Sequence, residues 1–223
     1  MTKQLFREAI TKVTAGFLLV ALLLFLPAGT IHYPGAWLLL GLLFIPMVLA
    51  GFVLMAKNPD LLRRRLAAKE EQMEQKTVVA LSGLMFIGGF VLCGLNFRYG
   101  WHILPSWVVT AGAILFLLAY ALYAEVLREN TWLSRTIEVQ DGQTVVDTGL
   151  YGLVRHPMYF ATVLLFLSMP LVLGSIHAFL LFLIYPLILV KRIRNEEELL
   201  ERELPGYKEY KQKVKYRMLP FIW

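Results

Sequence analysis

The stretch Met158-Tyr-Phe-Ala-Thr-Val-Leu-Leu-Phe-Leu-Ser-Met-Pro-Leu-Val-Leu173 carries no charged residue, and neither does Ile176-His-Ala-Phe-Leu-Leu-Phe-Leu-Ile-Tyr-Pro-Leu-Ile-Leu-Val190 beyond Gly174-Ser175. Two apolar runs of nearly equal length joined by a two-residue turn must pack antiparallel and side by side. At 1.5 Å per residue each reaches about 24 Å, short of a hydrocarbon core of about 30 Å. Such a pair crosses by thinning the bilayer locally or by snorkelling its ends. The start of the first run and the end of the second then meet at one membrane surface.

Four more apolar segments precede this hairpin, so that residues 13–31, 36–56, 78–97, 107–127, 158–173 and 176–190 all read as membrane spans. The 223 residues are 58% hydrophobic and 17% charged, against about a quarter charged in soluble domains. With the N-terminus inside, all 22 Lys and Arg residues except Arg98 fall on inner segments. The positive-inside rule therefore selects N-in and C-in. The outer loops, 27–35, 98–106 and 174–175, are short and almost uncharged. The first segment has a basic start but lacks a small-x-small cleavage site, and it reads as a retained helix rather than a signal peptide. The net charge of +6 flanks apolar segments, which argues for anionic lipid headgroups and against nucleic acid. The single cysteine, Cys93, excludes an intrachain disulfide and reads as a small core residue.

Three inner segments carry the polar residues. Residues 57–76 read as a surface helix with Leu61, Leu62, Leu66 and Met73 turned to lipid, or as a solvated charged loop. In 128–154, Ile137-Glu-Val-Gln140 and Thr144-Val-Val146 flank Asp141-Gly142, which predicts a short cytoplasmic β-hairpin. The tail continues as a helix from the last span, stops before Pro205 and resumes through residues 207–223. The expected fold is thus an all-α integral membrane protein of about six transmembrane helices. It forms a single membrane domain, with four helices in 1–129 and the final helical hairpin and tail in 130–223.

The chemistry gathers where the hairpin ends meet. Arg155-His156-Pro157-Met158-Tyr159 opens the first run, and Arg192-Ile-Arg194-Asn-Glu196-Glu197 follows the second. An imidazole, guanidinium groups, a phenol and paired carboxylates beside an apolar cavity suit a ligand with a charged end and a greasy substrate. Each residue also has a plainer role. Pro157 suits the first turn of a helix, and Arg155 and Arg192 suit headgroup anchoring. Glu196 to Glu198 suit a solvated face with partners such as Arg202. His32, His102 and His177 fall on the outer side, away from His156, and no metal site is implied. No glycine-rich phosphate loop follows a strand. Gly88-Gly89 reads as a point of close helix packing, and Asn96 and Glu125 as interfacial residues.

The run from Asn130-Thr-Trp-Leu-Ser134 through Val145-Val146-Asp-Thr-Gly149-Leu-Tyr151-Gly-Leu-Val-Arg155-His156-Pro157-Met158-Tyr159 resembles the isoprenylcysteine carboxyl methyltransferase and phospholipid methyltransferase families. Arg192-Ile-Arg-Asn-Glu196-Glu197-Glu-Leu-Leu200, Gly206-Tyr207-x-x-Tyr210 and Val214-x-Tyr-Arg217-x-Leu-Pro220 look like the same families' C-terminal signature. Leu150 and Gly152 depart from the proline and the basic residue that many members carry there. The resemblance implies a multi-pass membrane methyltransferase using S-adenosyl-L-methionine, held at the cytoplasmic ends of the last helices within 130–223. It implies that His156, Pro157, Tyr159, Glu196 and Glu197 belong to the cofactor-binding set. Arg155 and Arg192 would orient the acceptor or the cofactor carboxylate, and Glu197 would serve as base were the acceptor an amine. The implied partner is a lipophilic acceptor, prenylated or lipid, taken from the cytoplasmic leaflet.

Two other readings stand beside it. The tail, with Tyr207-x-x-Tyr210 and Val-Lys-Tyr-Arg217 before Leu219-Pro220, also resembles the NADPH-dependent sterol and enone reductases. A lipid-binding protein without turnover would keep the same framework. No charged residue stands near the middle of a span, which argues against a transporter.

Overall fold

The computed structural model describes residues 3–66, 73–134 and 137–223, and among them there are helices and no strands. Five helices are long and apolar enough to cross a membrane. Four of them are α1 (Lys3–Ala28), α2 (Pro34–Lys57), α4 (Met73–Tyr99) and α5 (Ser106–Glu129). The fifth is the stretch Ile176–Glu203, made of α7 (Ile176–Phe182) and α8 (Tyr185–Glu203). A sixth apolar helix, α6 (Pro157–Val172), is 16 residues long. Two short helices complete the order: α3 (Pro59–Leu66) between α2 and α4, and α9 (Tyr207–Lys213) after α8. The division of α7 from α8 falls beside Pro186. Proline donates no N–H and crowds the preceding turn, and the chain there tightens, with Ile184 N donating to Leu181 O at 3.2 Å.

Apolar side chains face outward as well as inward, as a bilayer requires. Leu22 and Leu26 of α1, Leu49 of α2, Leu84 of α4 and Leu118 of α5 are exposed. The inner core joins Leu24, Leu39, Leu40, Phe116 and Phe182. With no water to drive burial between helices, contact depends on small residues that let backbones approach. A Cβ added at Gly94 of α4 would lie 2.6 Å from Leu24 O and 3.0 Å from Ala28 N of α1. One at Gly89 would fall on the Phe182 ring, so Gly89 is a packing glycine, while Gly88 meets Leu181 at an ordinary 3.7 Å. Gly94→Ala presses on backbone atoms that cannot yield, and is expected to cost about 1–3 kcal/mol by overpacking. Thermal unfolding of the purified protein measures this, and an unchanged midpoint would refute the close α1–α4 approach.

Three expectations are corrected. The β-hairpin does not form. Asp141-Gly142 does turn the chain, with Gly142 at φ 71° and Gln143 N donating to Gln140 O at 3.0 Å, but no ladder follows. Its apolar flanks serve other partners: Val139 and Val145 pack on Leu204, Tyr207 and Tyr210, and Val146 packs with Tyr151. An isolated two-stranded hairpin has too little to bury to hold itself together. The α3 leucines do not face lipid. Asn58 caps the helix through its Oδ1 to Leu61 N at 3.1 Å, and Leu61 and Leu62 are buried, the latter against Leu5, Ala9 and Met55. The side chain of Met73 lies outside the described residues. The tail is helical only to Lys213; from Val214 it runs past Arg155 and His156 at the start of α6 and then closes in a turn, with Trp223 N donating to Leu219 O at 3.0 Å.

At one end of the bundle the α1 start, α3, the loop segments 130–134 and 137–154 and the end of α8 come together. Lys12 Nζ reaches Leu66 O at 2.6 Å, and Arg64 Nη2 reaches Thr131 O at 2.7 Å. At the other end Tyr33 Oη donates to Leu173 O at 2.6 Å, and Leu104 N donates to Gly174 O at 3.0 Å.

Candidate active site

Residues 149–152 form a 3-10 turn that leads into α6. Gly149 sits at φ 54°, a conformation that favours glycine, and a Cβ there would fall on the Glu129 carboxylate. That carboxylate accepts from Leu150 N at 2.9 Å, so the last residue of α5 fixes the turn. The chain then enters α6 through Arg155 and His156, whose backbone N–H groups donate to Tyr216 O at 2.9 Å and Arg217 O at 2.7 Å. Pro157 is the first residue of α6, where its missing N–H costs nothing. It is buried and forms no part of the cavity wall.

The two hairpin ends do meet. Glu197 of α8 is 2% exposed. Its Oε1 accepts from Arg155 Nε at 2.7 Å and faces His156 Nε2 at 3.3 Å. Its Oε2 accepts from Arg217 Nε at 2.9 Å. Arg155 also donates from Nη1 to Val214 O and Lys215 O, at 2.6 and 2.8 Å. A buried charge persists only when paired and hydrogen-bonded, and this one binds α6, α8 and the tail into one unit. A second cluster lies beside it. Arg192 Nε donates to Tyr159 Oη at 2.9 Å, and Tyr159 Oη donates in turn to Glu196 Oε2. The Tyr159 and His156 rings stand 5.6 Å apart between centroids.

A cavity of about 480 Å³ opens on this second cluster, within the size range of small-molecule sites. Its polar end holds Arg155, His156, Tyr159, Arg192, Glu196 and Tyr207. Its apolar end runs along Val78, Val79, Gly83, Phe86, Phe166 and Leu189. Glu197 does not line it. Of the residues marked from sequence, Tyr159, Arg192, Glu196 and His156 therefore face the cavity, Arg155 reaches its wall with a guanidinium already engaged, and Glu197 and Pro157 stand behind.

Sequence reasoning missed two contributors. Arg65, placed in a surface segment, lines the cavity, donates from Nη1 to Ser134 O at 3.2 Å, bonds to Tyr123 Oη and lies over the Tyr123 ring. Among the described residues no carboxylate pairs with it. Arg217 was seen as part of a signature but not as a partner of Glu197. Both contacts join residues far apart in the chain, and no local pattern announces them. Outside the spans, Lys213 holds the Asp147 carboxyl below its usual range through a 2.8 Å contact. Burial pushes the Tyr207 phenol up, keeping it neutral. Among the described residues no group of three or more metal-binding side chains comes together.

Against known proteins, the sequence model of the isoprenylcysteine carboxyl methyltransferase family matches residues 103–202. A Delta(14)-sterol reductase of Mus musculus is 31% identical over 91 residues, 40% of this chain. The chain spans about a fifth of that relative's length, 22%. Among solved structures, the eukaryotic intramembrane Ras methyltransferase ICMT aligns with a TM-score of 0.57 at 19% identity, over 96% of this chain and 77% of that one. At that identity the likeness speaks for the fold.

Proposed function

We propose, from the match of residues 103–202 to the isoprenylcysteine carboxyl methyltransferase family, that this chain is a membrane methyltransferase acting on a lipophilic acceptor. The donor is S-adenosyl-L-methionine, and the chain crosses the bilayer six times with both termini and the cavity on the cytoplasmic side. The observation that carries the reading is the union, in one cavity, of the Arg192–Tyr159–Glu196 cluster with a wall of apolar side chains.

The residues fit such a donor. An Arg can take an amino-acid carboxylate bidentately, and a Glu can take an ammonium; Arg192 and Glu196 meet at one phenolic oxygen, Tyr159 Oη. When bound, the donor supplies a methyl on a sulfonium: the S–CH₃ bond breaks as the acceptor's lone pair forms the new bond, and the sulfur keeps the electrons. A carboxylate acceptor loses no proton in this step. Chain residues need only align the two reactants, and alignment can supply roughly 7–11 kcal/mol of the barrier. His156 and Tyr159 form the floor of the polar end. Arg155 and Glu197 position that floor, since their charges are engaged with each other and with the tail.

The test is incubation of membranes bearing the protein with radiolabelled S-adenosyl-L-methionine, followed by extraction of the labelled product. A labelled lipid-soluble or prenylated product is expected. A purified protein with no measurable affinity for the donor would overturn the reading. Tyr159→Phe removes the hydroxyl joining Arg192 to Glu196, and should weaken donor binding by roughly 10–100-fold while the protein still folds. Unchanged affinity would remove that cluster from the site.

The reductase likeness over 91 residues favours one second reading, a nicotinamide-dependent reductase of a sterol or enone. Thermal stabilisation by NADPH and not by S-adenosyl-L-methionine would select it.

A further inference from the structure

Tyr151 lies on the 3-10 turn that precedes Arg155 and His156, and it forms part of the cavity wall. It is 6% exposed, and its Oη is shut off from solvent without a hydrogen-bond partner among the described residues. Among the described residues only Arg64 Nε shares that condition. Orphaned buried polar atoms are rare in native proteins, because each costs the desolvation of the group with no bond to offset it. The Asn130 side chain is the nearest polar neighbour and lies close enough to favour the charged phenol, but among the described residues no group meets the hydroxyl in hydrogen-bond geometry.

The Tyr151 phenol itself is held in place. Its ring packs with Val126 and Met158 and against Leu150. Its carbonyl accepts from Tyr210 Oη at 2.7 Å. The turn that carries it is held by Glu129 through Leu150 N. A rigid wall thus keeps one hydroxyl unpaired beside the cavity, and such pre-organisation is what a binding site pays for in stability.

We infer that Tyr151 contacts the ligand of this cavity, its phenol donating a hydrogen bond to an uncharged acceptor atom on the nucleoside half of the bound cofactor; this rests on the donor assigned under the proposed function. The apolar neighbours suit a neutral ring-bearing fragment better than a zwitterion. Burial first, with Glu196, Tyr210 and Glu129 adding to it, pushes the phenol above its usual value, so the group stays protonated and donates. The same acidic neighbours discourage a carboxylate at that point, and Arg192 stands elsewhere on the wall to receive one.

The experiment compares the intact protein with Tyr151→Phe in lipid nanodiscs. S-adenosylhomocysteine and 5′-methylthioadenosine, which lacks the amino-acid end, are titrated into each, and the midpoint of thermal unfolding is read without ligand. The expected result is a loss of about tenfold in affinity for both probes, with an unfolding midpoint unchanged or raised, because the variant deletes only an unpaired hydroxyl. Equal affinities for the two proteins overturn the inference and leave the proposed function standing. A fall in the unliganded midpoint overturns it as well, by assigning the hydroxyl to the fold. Binding of S-adenosylhomocysteine without any binding of 5′-methylthioadenosine overturns the nucleoside assignment. If the unaltered protein takes neither probe, the methyltransferase reading itself fails, and the inference with it.

Discussion

Glu197→Ala is expected to abolish donor binding and, in the same protein, to lower stability by about 3–5 kcal/mol, the cost of leaving a buried cation without its counter-ion. The carboxylate is met by Arg155, Arg217 and His156, and it forms no part of the cavity wall. Its removal strands the Arg155 guanidinium, 6% exposed, whose remaining partners are two backbone carbonyls. It also releases the tail that pairs with the backbone of Arg155 and His156. Glu197→Gln keeps an oxygen acceptor but loses the charge, and should fall between the two. Thermal unfolding without ligand, together with titration by S-adenosyl-L-methionine, checks both halves. Were the affinity lost with the unfolding midpoint untouched, Glu197 would have to be a direct ligand. A double-mutant cycle with Arg217→Met refines the point, since residues in one network are non-additive.

That outcome bears on how the site could be read before any coordinates. The meeting of residues 155–159 with residues 192–197 followed from two short apolar runs and a tight turn, and the Arg155–Glu197 and Tyr159–Glu196 contacts bear it out. Hydrophobic run length locates the apolar helices, five of them long enough to cross a membrane, because the bilayer permits so few alternatives. It says nothing of which carboxylate faces the cavity. Glu196 and Glu197 are adjacent in sequence, and a helix turns about 100° between them, so one lines the wall while its neighbour lies behind it. Only the packing of α8 on α6 decides which. The arginines of α3 were beyond reach for a related reason: Arg64 and Arg65 donate to Thr131 O and Ser134 O, and backbone carbonyls offer no sequence signal. The hairpin expectation failed at Val139, Val145 and Val146, where tertiary packing took the side chains that alternation had assigned to a ladder.

The apolar end of the cavity gives the second large effect, at Gly83 of α4. A Cβ added there meets nothing within 4 Å, and the residue lines the cavity, so a large side chain can enter the cavity without displacing the fold. Gly83→Trp should fill the region that the greasy part of the acceptor would occupy. Displacing an acceptor by as little as about 1 Å can cost a hundredfold in rate, so methyl transfer should fall by about that factor or more while donor affinity holds. Gly51 of α2 supplies the control. A Cβ added at Gly51 likewise meets nothing within 4 Å, but the residue takes no part in the cavity wall, and Gly51→Trp should leave transfer as it was. Turnover of a prenylcysteine or lipid acceptor, measured beside titration of S-adenosyl-L-methionine, separates the cases. Loss of donor binding in Gly83→Trp would mean that donor and acceptor do not divide the cavity between its polar and apolar ends. Full activity would place the acceptor outside the cavity altogether, because no acyl or prenyl chain can share that space with an indole.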